Sequence, residues 1–197
     1  MSADGAQLYP AGPDPRRMAE LWSAELGGLD VTSATVAVTL QRLAQHVERA
    51  VVAIARSHRL GPGDLRVLLA LRRGGPPYAV SPTGLFRLLL ITSGAVSKQV
   101  DRLVEVGLVA RMPDPEKLRG LLVRLEPAGC AVAEAAMKEM STSFVGLERL
   151  SAEQKHEVLD MLARLQAVME GAAAMEGAAM EGAAAQSVAG PAPEGVH

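Results

Sequence analysis

Apolar residues between residues 93 and 107 recur at the spacing of a helix. Val96, Val100, Leu103 and Val104 follow one another at steps of four, three and one, which places them on one face. The pattern predicts a helix that buries an apolar stripe and exposes a polar, partly basic face. That opposite face begins with small residues and continues with polar and charged ones: Gly94, Ser97, Lys98, Asp101 and Arg102.

A shorter helix is predicted immediately before this one. Ser81 is a favoured capping residue, and Pro82 suits the first helical position, where a missing N–H costs nothing. Thr92 and Ser93 open the second helix, and Gly107, which can adopt a positive φ, ends it. Two helices joined by a short turn are the pattern of a helix-turn-helix.

Two apolar runs follow, at residues 108–112 and 121–125, on either side of the turn-rich loop P-D-P-E-K-L-R-G. They predict two paired strands, and the run Y-A-V at 78–80 predicts a further short strand that pairs with them. Helix, turn, helix and a two-stranded wing indicate a winged helix-turn-helix DNA-binding domain over residues 60–125. The expected fold class is mainly α with a small β-wing.

Amphipathic helices are also predicted on both sides of this domain. Residues 14–59 contain two helices, which start at Asp14 and Asp30 and each carry an apolar stripe. Residues 126–170 contain two more, and the last opens with the capping box S-A-E-Q at 151–154. Because the N-terminal stripes need a surface on which to be buried, we expect a second subunit to cover them.

The two ends of the chain have a biased composition. Residues 1–13 are rich in Gly, Pro and Ala, and are predicted to be a mobile N-terminal arm. Near the other end the triplet Met-Glu-Gly recurs at residues 169, 175 and 180, a period too short and irregular for a solenoid repeat. Since Gly interrupts a helix every turn or two, residues 171–197 are predicted to be a disordered Ala/Gly/Met/Glu tail.

The net charge of −2 conceals an asymmetry along the chain. Residues 60–125 contain ten Lys and Arg against five acidic residues, whereas residues 126–197 contain four against eleven. Positive potential over the predicted helix-turn-helix would attract phosphate. Charge alone leaves open a second interpretation, a solvated surface that is merely basic. The coincidence of the basic segment with the motif favours double-stranded DNA as the partner.

Several classes of protein are disfavoured by what the sequence lacks. No run of about 18 uncharged apolar residues is present, so no membrane span is predicted. The N-terminus lacks the basic and apolar regions of a signal peptide. A single cysteine, Cys130, excludes an internal disulfide framework and favours a cytoplasmic location. Two interpretations of Cys130 remain open, a buried structural thiol and a redox sensor near a helix N-terminus.

No catalytic, cofactor or metal site is predicted. The chain has no phosphate loop, dinucleotide-binding glycine motif or nucleophile elbow. Its four histidines have no metal-ligand spacing with one another or with Cys130. We therefore expect no enzyme activity and no cofactor.

Three strings in the middle of the chain resemble the MarR family of bacterial transcription regulators. They are L-L-A-L-R-R-G-G-P-P-Y-A-V-S-P-T-G-L at 68–85, I-T-S-G-A-V-S-K-Q-V-D-R-L-V-E-V-G-L-V at 91–109, and V-R-L-E-P-A-G at 123–129. Trp22, followed by L-D-V at 29–31, is similar to the extra N-terminal helix of the PecS-like, urate-responsive branch. The resemblance covers about residues 15–170.

This resemblance implies an α-helical homodimer whose first and last helices interlock, so that 14–59 and 126–170 are dimerisation helices. Each subunit would place its second helix in the major groove and its wing in the minor groove. The expected function is a ligand-responsive repressor that binds a pseudo-palindromic operator. Two alternatives remain open: the scaffold reused as an enzyme or small-molecule binder, and a protein that binds partners through its dimer helices.

The same resemblance assigns DNA contacts to three places. Hydroxyl groups at the start of the first helix would bind phosphate, residues on or near the second helix would approach the bases, and cations would sit at the wing. For Asp101 and Arg102, an ion-pair network inside the domain is the alternative to base contact. In chain order the candidates are Ser81, Thr83, Thr92, Ser93, Ser97, Lys98, Arg102, Lys117 and Arg119.

The chain departs from the family pattern in its wing and near two helix starts. Family wings usually carry Asp-Arg-Arg, whereas this chain has Lys-Leu-Arg at 117–119, so one arginine is lost. Glu126 replaces the usual capping Thr, at a cost of about 1 kcal/mol. Gly84 replaces a better helix former, at a cost of nearly 1 kcal/mol if it lies mid-helix. These changes weaken the case for ordinary operator binding.

The effector site departs further. In the urate-responsive branch a Trp, an Asp and two Arg surround an anionic ligand between the dimer helices and the DNA-binding lobe. Trp22 and Arg111 stand at two of these positions, but Arg66 replaces the Asp and Gln99 replaces one Arg. The resemblance, with these replacements, argues against urate and leaves open a small anionic or aromatic effector such as a carboxylate or phenolate. The alternative is that Arg66 and Arg111 are simply solvated.

Overall fold

The computed structural model describes residue 12 and residues 14–188, with side chains through residue 175. The chain divides into two compact units between Val145 and Gly146. The first unit contains, in order, α1 (Pro15–Glu25), α2 (Thr32–Ser57), α3 (Pro62–Arg73), β1 (Ala79–Val80), α4 (Pro82–Leu89), α5 (Ser93–Glu105), β2 (Val109–Pro113), β3 (Leu121–Leu125) and α6 (Pro127–Thr142). The second contains a short 3₁₀ helix (Leu147–Arg149) and α7 (Ala152–Val188).

The helix starts predicted at Asp14, Ser81 and Ser151 are confirmed, whereas α2 has Val31 as its N-cap and the Asp30 carboxylate, one position earlier, accepts from the N–H of Thr32. The Asp14 carboxylate accepts a hydrogen bond from the N–H of Arg16 at 2.7 Å. The Ser81 hydroxyl accepts from the N–H of Gly84 at 3.1 Å at the start of α4. Ser151 and Gln154 exchange the two bonds of a capping box ahead of α7. These interactions are local in sequence, which is why the residue pattern alone indicates them.

The three strands form one antiparallel sheet in the order β1–β3–β2. Arg124 of β3 lies opposite Ala79 of β1 on one side and opposite Ala110 of β2 on the other. The short strand predicted at residues 78–80 therefore pairs with the wing, as expected. The wing itself is the β2–β3 hairpin, and it is joined to the helical part through β1.

The apolar stripe of α5 faces the main core. Val96, Val100 and Leu103 are at most 2% exposed, whereas Val104 at the edge of the stripe is 37% exposed. They pack with buried residues of α3, α4, β2, β3 and α6. A second cluster joins α2 to α3 and α6. The predicted boundaries at residues 59/60 and 125/126 therefore fall inside one compact unit, since these helices share buried side chains.

Gly84 has a packing role that its low helix propensity conceals. A Cβ added at this position would lie 2.6 Å from Cγ1 of Val80, the residue that ends β1. Glycine therefore lets α4 approach the sheet closely. Glu126, by contrast, makes no side-chain capping bond at the start of α6 and pairs with Arg124 instead, as expected for a poor cap.

The prediction of a disordered tail from residue 171 is wrong for residues 171–188, because α7 continues to Val188. Alanine is the best helix former, and Met and Glu are also favourable, so they offset glycines that each cost about 1 kcal/mol. The N-terminal arm at 1–11 and 13, and the last nine residues, lie outside the described part. Within that part, the longest helices do not combine the length and apolar character needed to span a bilayer.

Large apolar side chains remain exposed on the flanking helices of a single chain. Trp22 of α1 and Leu43 of α2 are 56% and 55% exposed, and Leu159 of α7 is 62% exposed. Leu21, Leu26, Val36, Val38, Met137, Val158, Met161 and Leu162 are likewise exposed. Exposed apolar surface of this extent is typical of a protein interface.

Candidate nucleic-acid interface

The outward face of α5 carries most of the candidate base-reading residues. Thr92 caps the helix by accepting a hydrogen bond from the N–H of Ala95 at 3.2 Å. Ser93, Ser97 and Lys98 are exposed on the first two turns. Lys98 forms no ion pair with any described residue. Because the buried stripe fixes the rotation of α5, this polar face is directed away from the core.

Arg102 forms the ion pair that the sequence offers as the alternative to base contact. Its guanidinium donates from Nε to Oδ2 of Asp64 at 3.2 Å and from Nη2 to Oδ1 at 2.6 Å. The Asp64 side chain is 8% exposed, whereas that of Arg102 is 55% exposed. Asp64 also accepts from the N–H of Gly61. This bidentate pair ties α5 to the start of α3.

The neighbouring residue ties α5 to the wing. Asp101 accepts a hydrogen bond at 2.6 Å from Nη2 of Arg111, which lies on β2. Consecutive residues of α5 therefore pair with two different elements. The arrangement holds the reading helix against both the helical core and the hairpin.

α3 takes part in ion pairs with three other helices. Besides the Asp64–Arg102 pair, Arg66 pairs with Glu48 of α2, and Arg72 pairs with Glu134 of α6. The Arg72 guanidinium also lies 4.6 Å from the centre of the Tyr78 ring. The hydrogen bond from Arg72 holds the pKa of the Glu134 carboxyl below its usual value.

The tip of the wing is residues 114–120, here called the wing loop. The N–H of Asp114 donates to the carbonyl oxygen of Gly120 at 2.9 Å, and the N–H of Gly120 donates to the carbonyl oxygen of Lys117 at 2.8 Å. Arg119 adopts a positive φ of 65°. The side chains of Lys117, Leu118 and Arg119 are all exposed. The candidate wing cations are thus at the end of an ordered hairpin.

Five of the ten Lys and Arg residues between 60 and 125 form ion pairs. The other five have no carboxylate partner among the residues described, and they include the three candidates Lys98, Lys117 and Arg119. Arg87, exposed on α4, is a fourth, and it lines the same surface cleft as Thr92. Sequence reasoning missed Arg87, although its charge within the helix-turn-helix was a usable signal.

The two hydroxyl candidates of α4 differ in their surroundings. Ser81 is half-buried, and its oxygen is engaged in the helix cap. Thr83 is exposed one position beyond Pro82. Both lie at a helix N-terminus, where N–H groups and the helix dipole favour an anion.

A single chain does not bring the four candidate effector residues together. Trp22 lines an apolar cleft of about 300 Å³ between α1 and α2. Arg66 lines a different cavity of about 680 Å³ between α3, α4 and α6. Gln99 packs against the start of α3, since a Cβ on Gly63 would meet its Nε2 at 2.2 Å. Arg111 is engaged with Asp101.

The α3–α4–α6 cavity is lined by apolar side chains, four cations and one carboxylate, Glu134. Its walls include Leu69, Leu89 and Met137, and its charged residues include Arg73 and Lys138. Neither of these two cations forms an ion pair with any residue in the described part of the chain. Nε of Arg72, another lining residue, is buried without a hydrogen-bond partner. The arrangement suits an amphipathic anion.

Other chemistry finds little support in the part that the structure describes. No group of three or more His, Cys, Asp or Glu side chains there is arranged to hold a metal ion. Cys130 is a free thiol, half-buried, that packs against the main core.

Comparison with known proteins gives one match limited to the winged helix-turn-helix segment and others that cover most of the chain. The MarR family matches residues 60–120, the segment from α3 to the wing loop. The HTH-type transcriptional regulator PecS of Dickeya dadantii is 29% identical over 146 residues, which cover 74% of this chain and 88% of that protein. Its match extends beyond the winged helix into the flanking helices.

Solved structures share the architecture. Sco5413, a MarR family transcriptional regulator from Streptomyces coelicolor, is 27% identical with a TM-score of 0.60, covering 70% of this chain and 95% of that one. A cysteine-to-serine mutant of MarR from E. coli, complexed with operator DNA, is 23% identical with a TM-score of 0.57, covering 70% and 97%. The winged helix-turn-helix fold is therefore common to all three.

Proposed function

We propose that the chain is a transcriptional regulator of the MarR family, a repressor that binds a pseudo-palindromic operator as a homodimer. In this proposal a small amphipathic anion releases the operator. The relatives support the regulatory role, because the MarR structure of matching fold holds operator DNA and PecS is itself a transcriptional regulator.

The orientation of α5 carries the proposal. Its apolar stripe is buried, ion pairs tie it to α3 and β2, and its exposed face presents Ser97 and Lys98. A helix held in this way can enter the major groove, where Lys is able to donate to the O6 and N7 atoms of guanine. The hydroxyl groups of Thr83 and Ser93 would then contact phosphate at the two helix starts.

A homodimer accounts for the exposed apolar side chains of α1, α2 and α7. Trp22, Leu43 and Leu159 are each more than half exposed in one chain. A second copy that covered them would give a two-fold dimer with two reading helices, one for each half of a two-fold operator. The two-fold symmetry of such a dimer is the reason why the operator should be pseudo-palindromic.

The α3–α4–α6 cavity is the site that we assign to the effector. Arg73 and Lys138, which form no ion pair among the described residues, would pair with an anionic group, while Leu69, Leu88 and Leu89 contact its apolar part. Leu88 and Leu89 belong to α4, the helix that packs beside α5. A ligand that separates α4 from α3 would therefore change the position of the reading helix, which is how binding would couple to operator release.

The proposal is tested by electrophoretic mobility shift with the DNA that flanks the gene. We expect specific binding whose affinity falls steeply between about 50 and 200 mM salt. Lys98→Ala should weaken it, whereas Lys155→Ala, an exposed cation of α7, is the matched control. Equal affinity for this DNA and for an unrelated duplex would contradict operator recognition. Candidate aromatic and aliphatic carboxylates, added to the complex, test the effector.

A second candidate is a small-molecule-binding protein that has lost operator recognition. The size of the α3–α4–α6 cavity and the loss of one wing arginine at Leu118 favour it. Calorimetry would show tight, stoichiometric binding of a carboxylate without any preference among duplexes. Operator-specific binding in the mobility shift decides against it.

A further inference from the structure

Leu118 is the most exposed of the large apolar side chains described. It is 99% exposed, whereas Leu90, the next, is 88% exposed. It lies at the tip of the wing loop between two cations, Lys117 and Arg119. Single exposed leucines are common on protein surfaces, so the feature that distinguishes Leu118 is its position at the tip of a hairpin, directly between two cations.

Hydrogen bonds order the backbone of the wing loop on both sides of Leu118. Two turns share Lys117: its N–H donates to the carbonyl oxygen of Asp114 at 3.3 Å, and its carbonyl oxygen accepts from Gly120 at 2.8 Å. The Asp114 carboxylate also accepts from the N–H of Glu116 at 3.0 Å. A Cβ on Gly120 would lie 2.7 Å from Cβ of Asp114, so the loop closes tightly. Leu118 therefore projects from an ordered hairpin.

We infer that Leu118 is an apolar wedge that enters the minor groove of the operator and partly separates two stacked base pairs. The inference rests on the proposed operator binding. Two phosphate strands flank the minor groove and suit Lys117 and Arg119. A leucine can contact the deoxyribose carbons of its walls and the base faces that unstacking exposes. Apolar side chains inserted in this way unstack a base step and bend the duplex towards the major groove.

A protein surface is a poorer occupant for this tip. Protein interfaces bury roughly 800 Å² on each partner around a cluster of anchors. The wing loop offers one apolar side chain, and its two immediate neighbours are cations with no ion pair in the residues described. That combination fits a polyanion with a narrow groove whose walls offer apolar contact, as the minor groove of DNA does.

Insertion at the wing has a consequence for operator sequence. Pyrimidine–purine steps such as TA and CA unstack more readily than purine–purine steps. The operator should therefore prefer such a step where the wing of each subunit contacts it, although no hydrogen bond reads it. This preference would be a form of indirect readout.

The experiment measures bending and unstacking separately from affinity. An operator duplex labelled at both ends reports its end-to-end distance by energy transfer, and 2-aminopurine at the wing step reports unstacking by a rise in fluorescence. We compare the wild-type protein with Leu118→Ser, the conservative Leu118→Met, and Lys117→Ala as the matched wing control.

Leu118→Ser should lose at least half of the change in energy transfer and most of the fluorescence rise, with affinity falling about tenfold. Leu118→Met should retain both signals. Lys117→Ala should weaken binding and reduce the salt slope by about 0.9, while the bend remains. Because Leu118 is fully exposed, these variants should unfold at the wild-type urea midpoint.

Two results would overturn the inference and separate it from the proposed function. The wedge inference is wrong if the wild-type protein binds its operator without unstacking it, or if Leu118→Ser bends the operator fully. Either result leaves the proposed repressor function intact. If the wild-type protein binds the operator and an unrelated duplex with equal affinity, both the wedge inference and the proposed function are wrong.

Discussion

The Asp64–Arg102 pair predicts that a residue hidden from DNA controls operator affinity. Asp64 lies on α3 with its side chain 8% exposed, and Arg102 lies on α5. Replacing Asp64 with Asn removes the charge but keeps an oxygen that can accept from the N–H of Gly61. The variant therefore tests the ion pair while it preserves the shape of the site.

The magnitude follows from the burial of each partner. Breaking a fully buried pair costs about 3–5 kcal/mol, and an exposed pair contributes about 0–1 kcal/mol. Since Asp64 is buried and Arg102 is about half exposed, we expect Arg102→Ala to lower the free energy of unfolding by about 2 kcal/mol. Asp64→Asn, which retains one acceptor, should cost about 1 kcal/mol.

Urea unfolding at one fixed protein concentration measures these changes, because dimerisation would make stability depend on concentration. The double variant should be less destabilised than the sum of the two, with a coupling of about 1 kcal/mol. Operator affinity should fall in Asp64→Asn as well as in Arg102→Ala, because both release α5 from α3. Lys98→Ala, an exposed residue, should lower affinity without changing the urea midpoint.

One pair of results would refute this reasoning. If Arg102→Ala unfolds at the wild-type midpoint and Asp64→Asn binds the operator with full affinity, the pair does not position α5. Arg102 would then act on DNA directly, as base contact requires.

Three further predictions concern packing, assembly and pH. Gly84→Ala should destabilise the protein by about 1 kcal/mol in urea, because the clash with Val80 outweighs a helix-propensity gain of about 1 kcal/mol; a stabilised variant would contradict that contact. Leu43→Glu should raise the monomer fraction in sedimentation velocity, and an unchanged dimer would place the interface elsewhere. The pairing with Arg72 lowers the folded-state pKa of Glu134, so its stabilising contribution is present above the unfolded pKa and is lost as pH falls through the folded one. Glu134→Gln should therefore reduce the loss of stability on acidification, and identical acid-unfolding curves would rule this out.

Local features of the fold could be predicted from the sequence. Capping by Ser81 and Thr92, and the buried stripe of Val96, Val100 and Leu103, depend on residues within a few positions of one another. The paired strands follow from two apolar runs and a turn. In each case the interaction that decides the structure lies within the pattern itself.

Contacts between distant positions could not be predicted in this way. Arg102 and Asp64 are 38 positions apart, and the helical period is the same whether Arg102 faces DNA or α3. The separation of Trp22 from Arg66 likewise depends on how α1, α2 and α3 pack. The glycine pattern underestimates the extent of α7, because the alanines around each glycine outweigh its helix-breaking effect.

The three ion pairs of α3 have an evolutionary consequence. Asp64, Arg66 and Arg72 each pair with a residue of a different helix. A substitution at any one of them therefore leaves an unpaired charge on α5, α2 or α6 respectively. Related regulators should then alter position 64 together with 102, 66 together with 48, and 72 together with 134. Inherited variation along this helix would be correlated with three distant segments, even at positions of α3 that do not contact DNA.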